Sequence, residues 1–382
     1  MSLQWKRFQQ EDCNKYYINL DLKSALTERE LEASCDELYD FIQKQGIVVV
    51  YEKAFGQLSQ REAHHGRRLR CCRDRGIPPA PAVYLQGVPV ADAPMAGITV
   101  YGVTPRKGSV RTEYYSMDGL PWPVAARLDL ESGEWLYLTG LTGREGELAG
   151  IETEVRSMFH FAKECLEANG FCAKDIVRKW IYLSEMEQNY QGLNDGRRQF
   201  YQEEGIDYSG SAAELPASTC IGGDYGCGRS VSMDLACVNK RRPHPELIRV
   251  YNIRQNEAEG DTYLFKPTFS RGMVIRDEKL VEMQISGTAS IDRDGKTAFI
   301  GQPYEQIKWT LINVLGLLEQ QGMTFDDMVQ SNCFFKEREY YDLFLDLLQE
   351  LKIADFAPVC VVGDVCRTDL LFELDGVALK AR

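Results

Sequence analysis

The chain repeats itself, and the spacing of the repeat limits what it can fold into. "NGFCAKDIVRKWIYLSEME" (169–187) returns as "QGMTFDDMVQSNCFFKERE" (321–339), with Gly170 matching Gly322, Asp175 Asp327, Val177 Val329 and Glu185 Glu337, all at an offset of 152. A period this long means that each copy is a whole supersecondary unit. An amphipathic stretch precedes each copy. Val155, Met158, Phe159, Ala162, Cys165 and Leu166 form one helical stripe, and Ile307, Leu311, Val314, Leu315 and Leu318 form the other. Strand pairs stand before these helices ("ARLDLESGEWLYLTGLTG" and "LVEMQISGTASIDRDGKTAFIG") and a second helix follows each matched segment. In the second copy Tyr341, Phe344, Leu345, Leu348 and Leu351 give that helix its apolar face. Proline and strands close both copies.

Strands, helix, strand, helix, strands is the order of an α+β sandwich, one sheet covered on one face by two helices. The uncovered faces need partners, so the copies are expected to pack against each other. Near the amino terminus "PAVYLQGVP" and "GITVYGV" follow the arginine-rich stretch 61–75 much as the closing strands follow their helices. That region is either an α/β extension or a degenerate third copy. The expected domains are 1–115, 116–240 and 241–382, with the active site in the last.

Charge and residue usage exclude several functions. A net charge of −13 gives no basic face for phosphates and fits poorly with an anionic membrane. No apolar run approaches the roughly 20 residues of a membrane span. The 12 cysteines are scattered without a C-x-x-C pair, and "MSLQWKRF" does not read as a secretory signal, so a reduced, cytoplasmic protein is expected. Histidines 64, 65, 160 and 244 lack zinc spacing, and no H-E-x-x-H, Walker or G-x-S-x-G pattern occurs. "GDYGCG" (223–228) lacks the strand-then-helix context of a nucleotide fingerprint. Neither metal nor cofactor is expected, and assembly into oligomers stays open.

The carboxyl-terminal "GDVCRTDLLFELDG" (363–376) places Glu373 on an apolar terminal strand. Leu370, Phe372 and Leu374 alternate with Leu371, Glu373 and Asp375, so strand geometry turns the two sets to opposite faces. Either Glu373 is a rim residue wetted by solvent or it serves chemistry. Aligning "SVSMDLACV" with "LLFELDGVA" sets Met233 opposite Glu373, so the carboxylate belongs to one copy alone.

The second copy resembles the YjgF/RidA superfamily through "ISGTASI", "GMTFDDMVQSNCFF" and the terminal "FELDG". Single-domain members that deaminate imines carry an arginine after the proline of the penultimate strand. Here that position is Cys360, and Thr219 in the first copy if Pro216 is the equivalent proline. More of the chain, about 81–376, resembles the chorismatase family, through "PAVYLQGVP", "WIYLSEMEQNYQGLNDGRRQF", "LPASTCIGG", "PTFSRGMVI", "ISGTASI" and "DVCRTDLLFELDG" in order. That resemblance implies tandem YjgF/RidA-like (chorismate-mutase-like) sandwiches that remove pyruvate from chorismate without a cofactor. One departure follows "GTASI": Asp292, Arg293, Asp294 and Gly295 stand where a V-G-H-like run is expected.

Chorismate is a dianion with an enol-ether side chain. Cleaving it requires protonation of the enol-ether methylene, which a desolvated carboxylic acid can supply. Glu373 is the candidate acid, and the resemblance gives that position the same role. The ligand's two carboxylates call for convergent donors, arginine above all. Arg271 and Arg197 are the candidates, each with a plain structural or surface role as its alternative, and Tyr182 could add a hydrogen bond. The resemblance also assigns Gly272 and Cys366 to the branch that yields 3-hydroxybenzoate. It implies Cys366 as a second catalytic residue whose thiol guides an intramolecular route, with Gly272 giving the substrate ring room, although a buried cysteine is the alternative for Cys366. No histidine is placed to activate its thiol. The competing readings are a tandem imine or enamine deaminase, and a non-catalytic small-molecule-binding protein of the same fold.

Overall fold

The computed structural model describes residues 2–106, 111–116, 122–130, 133–144, 150–208, 215–226, 228–240, 248–253 and 268–382. His244 and Cys227 lie outside them. The first sheet is built from β1 (Ser2–Gln9), β2 (Cys13–Asp21), β3 (Val48–Gly56), β4 (Ala82–Gln86) and β6 (Met95–Pro105), in the order β1-β2-β6-β3-β4. Helices α1 (Glu28–Gln45) and α2 (Arg61–Arg75) cover it, and β5 (Val88–Pro89) leaves it for the third sheet. Thr27 and Glu30 cap the start of α1 reciprocally, and Gly46 ends it at φ 61°, a conformation that costs glycine nothing.

The second sheet comprises β7 (Arg111–Ser116), β8 (Pro123–Leu130), β9 (Gly133–Leu141), β10 (Ile176–Leu183), β11 (Ala217–Gly222) and β12 (Val231–Val238). Its order is β7-β8-β9-β12-β10-β11, under α3 (Ile151–Ala168) and α4 (Met186–Glu203). The third contains β13 (Arg249–Ile253), β14 (Gly272–Arg276), β15 (Leu280–Ala289), β16 (Met328–Phe335), β17 (Val359–Val362) and β18 (Phe372–Ala381). These run β13-β14-β15-β18-β16-β17, with β5 added beside β17, under α5 (Pro303–Glu319) and α6 (Tyr340–Glu350).

The three sheets share one topology. In each, the strand after the first helix lies between the closing strand, antiparallel to it, and the strand after the second helix, parallel to it. Each also carries a register shift at the same place, between Val49 and Tyr51, Ile176 and Arg178, and Met328 and Gln330. The amino-terminal region is therefore a third copy.

This register changes the alignment made from sequence. Tyr182 pairs with Ser232 and Phe334 with Glu373, so Ser232, not Met233, occupies the position of Glu373. In the first sheet that position is Gly97, opposite Phe55. Likewise Ile181 pairs with Cys220 and Cys333 with Cys360, so Cys220 rather than Thr219 is the counterpart of Cys360.

Three apolar cores lie between sheets and helices, and a fourth, larger core forms where the uncovered sheet faces meet. The fourth collects Tyr51 and Tyr101 from the first sheet, Tyr137 and Trp180 from the second, and Phe334 and Val377 from the third. A buried ion pair crosses each junction: Lys53–Asp234 at 2.8 Å, Arg178–Asp375 at 2.9 Å and Lys15–Glu282 at 3.3 Å. Trp180 sits in this core with the Lys53 ammonium 3.5 Å above its ring.

The stretch 61–75 departs from the solvated helix that its charge suggests. One face of α2 is buried, because Glu52 on β3 beneath it accepts from Tyr39 Oη (2.6 Å) and Arg68 Nε (3.3 Å). A buried guanidinium is tolerable where such a partner waits.

Candidate active site

Strand alternation places Glu373. Phe372 and Leu374 enter the core beneath α5 and α6, which turns Glu373 and Asp375 to the opposite face, towards the second sheet. Glu373 is only 4% exposed, so it is not a wetted rim residue. No hydrogen bond from the described residues reaches its carboxyl. Burial pushes its pKa up to about 8, the negative charge of Asp375 adds to this, and the Arg178 guanidinium opposes it. Glu373 is thus a neutral carboxylic acid at pH 7.

Gly287 on β15 makes room for this side chain. A Cβ there would stand 1.9 Å from Glu373 Oε1 and 2.9 Å from Cδ. A glycine inside a strand signals such close approach.

Glu373 borders a cavity of about 230 Å³ between α4 of the second unit and the β15, β18 and 366–370 segments of the third. Arg197, Arg198, Arg271, Arg367 and Cys366 share its wall. Arg271 arrives there because the turn before β14 is stitched to the second unit. Ser270 N–H donates to Pro216 O (3.0 Å), Ser286 Oγ donates to Ser270 O (2.6 Å), and Ser218 N–H donates to Ser286 Oγ (2.9 Å). Arg197 is buried on α4, with Nη2 donating to Asn194 Oδ1. Behind the cavity Arg178 Nη2 donates to Asp375 Oδ2 (2.9 Å) and Thr219 Oγ1 (2.5 Å), while Asn332 Nδ2 donates to Asp375 Oδ1 (2.8 Å).

The Cys366 thiol is half-buried, and burial followed by the charge of Glu373 pushes its pKa up to about 12. It is a neutral thiol, consistent with a packing group and not with a thiolate nucleophile. The segment 292–295, where the sequence departs from the family pattern, forms a turn one step behind the cavity wall. Asp292 Oδ1 accepts from the N–H groups of Asp294 and Lys296, both at 2.9 Å. Gly295 O accepts from Arg367 Nη1 (2.9 Å) and Thr297 Oγ1 donates to Asp369 (2.9 Å), so this turn braces the loop that carries Cys366.

Of the residues singled out from sequence, Glu373, Cys366, Arg271 and Arg197 come together around one cavity. Gly272 stands beside Arg271 at the start of β14, outside the wall, where a Cβ would meet Gln284 O at 3.1 Å and Met283 Cε at 3.3 Å. Tyr182 is not brought to the cavity. Alternation along β10 turns it, with Trp180, into the central core, where its hydroxyl accepts from Lys53 Nζ at 3.5 Å. Sequence reasoning missed Gly287, Arg198, Arg367 and Tyr190. Of these only Gly287 announced itself, as the lone glycine in "ISGTA".

An α+β unit repeated three times, with a cavity bordered by the buried Glu373 between the second and third copies, is the class of protein that fold and site define. No protein-family model matches the sequence, and no curated protein is significantly similar to it. Among solved structures the chain is similar in fold to a chorismatase, with a TM-score of 0.60 and 19% sequence identity over 87% of this chain and 93% of that one. Two further matches are a YjgF-family protein from Neisseria meningitidis (TM-score 0.28, 17% identity, 35% of this chain, 99% of that one) and a YjgF/YER057c/UK114-family protein from Mycobacterium tuberculosis (TM-score 0.26, 14% identity, 34% of this chain, 100% of that one). Among the described residues no group of three or more His, Cys, Asp or Glu stands together as metal ligands, and no helix is long and apolar enough to cross a membrane.

Proposed function

We propose that this protein cleaves pyruvate from chorismate, leaving 3-hydroxybenzoate, with Glu373 as the acid that protonates the enol-ether methylene. The observation that carries this reading is a buried carboxyl group with its pKa near 8, bordering a cavity walled by four arginines. Such a wall attracts a small polyanion, and the neutral acid meets it as a proton donor. The fold shared with a chorismatase supports the choice of chorismate.

Arg271 and Arg197 are the proposed carboxylate ligands, being buried and held from two different units. Protonation of the methylene carbon generates an oxocarbenium ion, whose positive charge the new Glu373 carboxylate stabilises. Gly272 acts through space: without a methyl group there, β14 lies close to Gln284 O and Arg271 keeps its place. Cys366 shapes the wall beside the acid. The substrate is a small anion and the proposed location is cytoplasmic.

Imine deamination is disfavoured because Cys360 and its counterpart Cys220 stand where the carboxylate-clamping arginine belongs. A purely binding role is disfavoured by the acid itself, since a neutral carboxyl wastes an anion site. Incubation of the purified protein with chorismate, with pyruvate and aromatic product followed together, tests the reading. Stoichiometric pyruvate and 3-hydroxybenzoate are expected, and no release of pyruvate would overturn it.

A further inference from the structure

A second cavity lies next to the first. It measures about 410 Å³ and opens between α4 and the 364–368 loop. Tyr190, Cys366 and Arg367 line both cavities, so they are the wall between them. The outer chamber has an apolar floor of Met186 and Val365 and a polar mouth: Lys336 pairs with Asp364 at 2.8 Å in its side, and Glu187 and Gln191 face it from the exposed surface of α4. That mouth is therefore a place for water.

Tyr190 supplies the largest side chain of the wall. It is half-buried one turn before Asn194, whose Nδ2 donates to Tyr190 O (3.0 Å) and whose Oδ1 accepts from Arg197. The backbone of Tyr190 is thus tied to the helical turn that presents a cavity arginine.

We propose that Tyr190 is a product-determining residue: its ring keeps the water of the outer chamber from the reacting ligand in the inner one. The inference rests on the chorismate reading above. In either outcome Glu373 gives its proton to the enol-ether methylene. If water enters, its oxygen bonds to the oxocarbenium carbon and its proton returns to the Glu373 carboxylate. The carbon–oxygen bond to the ring oxygen then breaks, leaving pyruvate and a dihydroxycyclohexadiene carboxylate, with one water consumed. If water is excluded, the bond between the ring and the ether oxygen breaks and that oxygen leaves as the carbonyl oxygen of pyruvate, while the neighbouring ring hydroxyl oxygen bonds to the carbon so vacated and its bond to its own carbon breaks. One ring C–H proton then restores Glu373, and the ring leaves as 3-hydroxybenzoate with no water consumed. A dry site selects the second outcome.

The test compares the unsubstituted protein with Tyr190→Phe and Tyr190→Ala on chorismate, measuring pyruvate and both ring products. The unsubstituted protein and Tyr190→Phe are expected to give 3-hydroxybenzoate. Tyr190→Ala is expected to reverse the ratio in favour of the dihydroxycyclohexadiene carboxylate, while pyruvate continues to match the sum of the two. Should the alanine variant not fold, Tyr190→Thr reads the same opening. An unchanged ratio in a folded, pyruvate-releasing variant would overturn the inference and leave the chorismate reading standing. No pyruvate from the unsubstituted protein would overturn that reading and this inference with it. A merely structural tyrosine would change rate or stability without moving the ratio.

Discussion

Glu373 combines a costly position with a useful proton. Its carboxyl is expected to ionise near 4.5 in the unfolded chain and near 8 in the folded one. Between these values the folded protein holds the extra proton, so the stability this group contributes is present below about 4.5 and lost as pH rises through about 8. The loss is of the order of 1.4 kcal/mol per pH unit inside that window. Glu373→Gln should therefore melt above the unsubstituted protein at alkaline pH, with the margin closing as pH falls; thermal unfolding at several pH values measures this. An equal margin at every pH would mean that the carboxyl is not held neutral. Gly287→Ala should leave the fold intact and displace the carboxyl, lowering kcat by roughly a hundredfold. Retention of the full rate would show that the acid does not need its observed place. Glu373 was legible in the sequence because strand alternation isolates it on an apolar stretch. Tyr182 was not, because both faces of β10 are buried and alternation alone cannot tell a cavity from a core.

At the scale of the elements, repetition was the most readable signal and register the least. The offset of 152 correctly pairs α3 with α5 and β10 with β16. Matching the closing strands by similarity slipped by one residue, which in a strand exchanges the two faces. Corrected, the register sets Asp234 and Asp375 at equivalent positions, each holding a cation of the neighbouring unit. The burial of the charged stretch 61–75 is hidden for a related reason: the partner of Arg68 is Glu52, on another element, so local sequence shows the charge and not its neutralisation. Asp375→Ala should strand the Arg178 guanidinium in the interior and cost about 3–5 kcal/mol. Denaturant unfolding measures the cost, and a change below about 1 kcal/mol would mean that water reaches this junction.

Over the whole molecule, three equivalent sheets enclose one shared core, yet only one of the equivalent positions Gly97, Ser232 and Glu373 carries an acid. Sequence alone leaves the third copy open because its topology persists where its residues no longer match. Since each unit buries its inner sheet face only against the other two, unfolding should be one cooperative transition, and removal of residues 1–105 should leave an aggregating product. Separate transitions in calorimetry, or a soluble, folded fragment, would contradict the shared core. The central claim is that Glu373 protonates chorismate. Pyruvate release should fall as pH rises past about 8, and Glu373→Gln should remain folded while losing about a hundredfold or more of the rate. A Glu373→Gln protein that releases pyruvate at the unsubstituted rate would contradict the account.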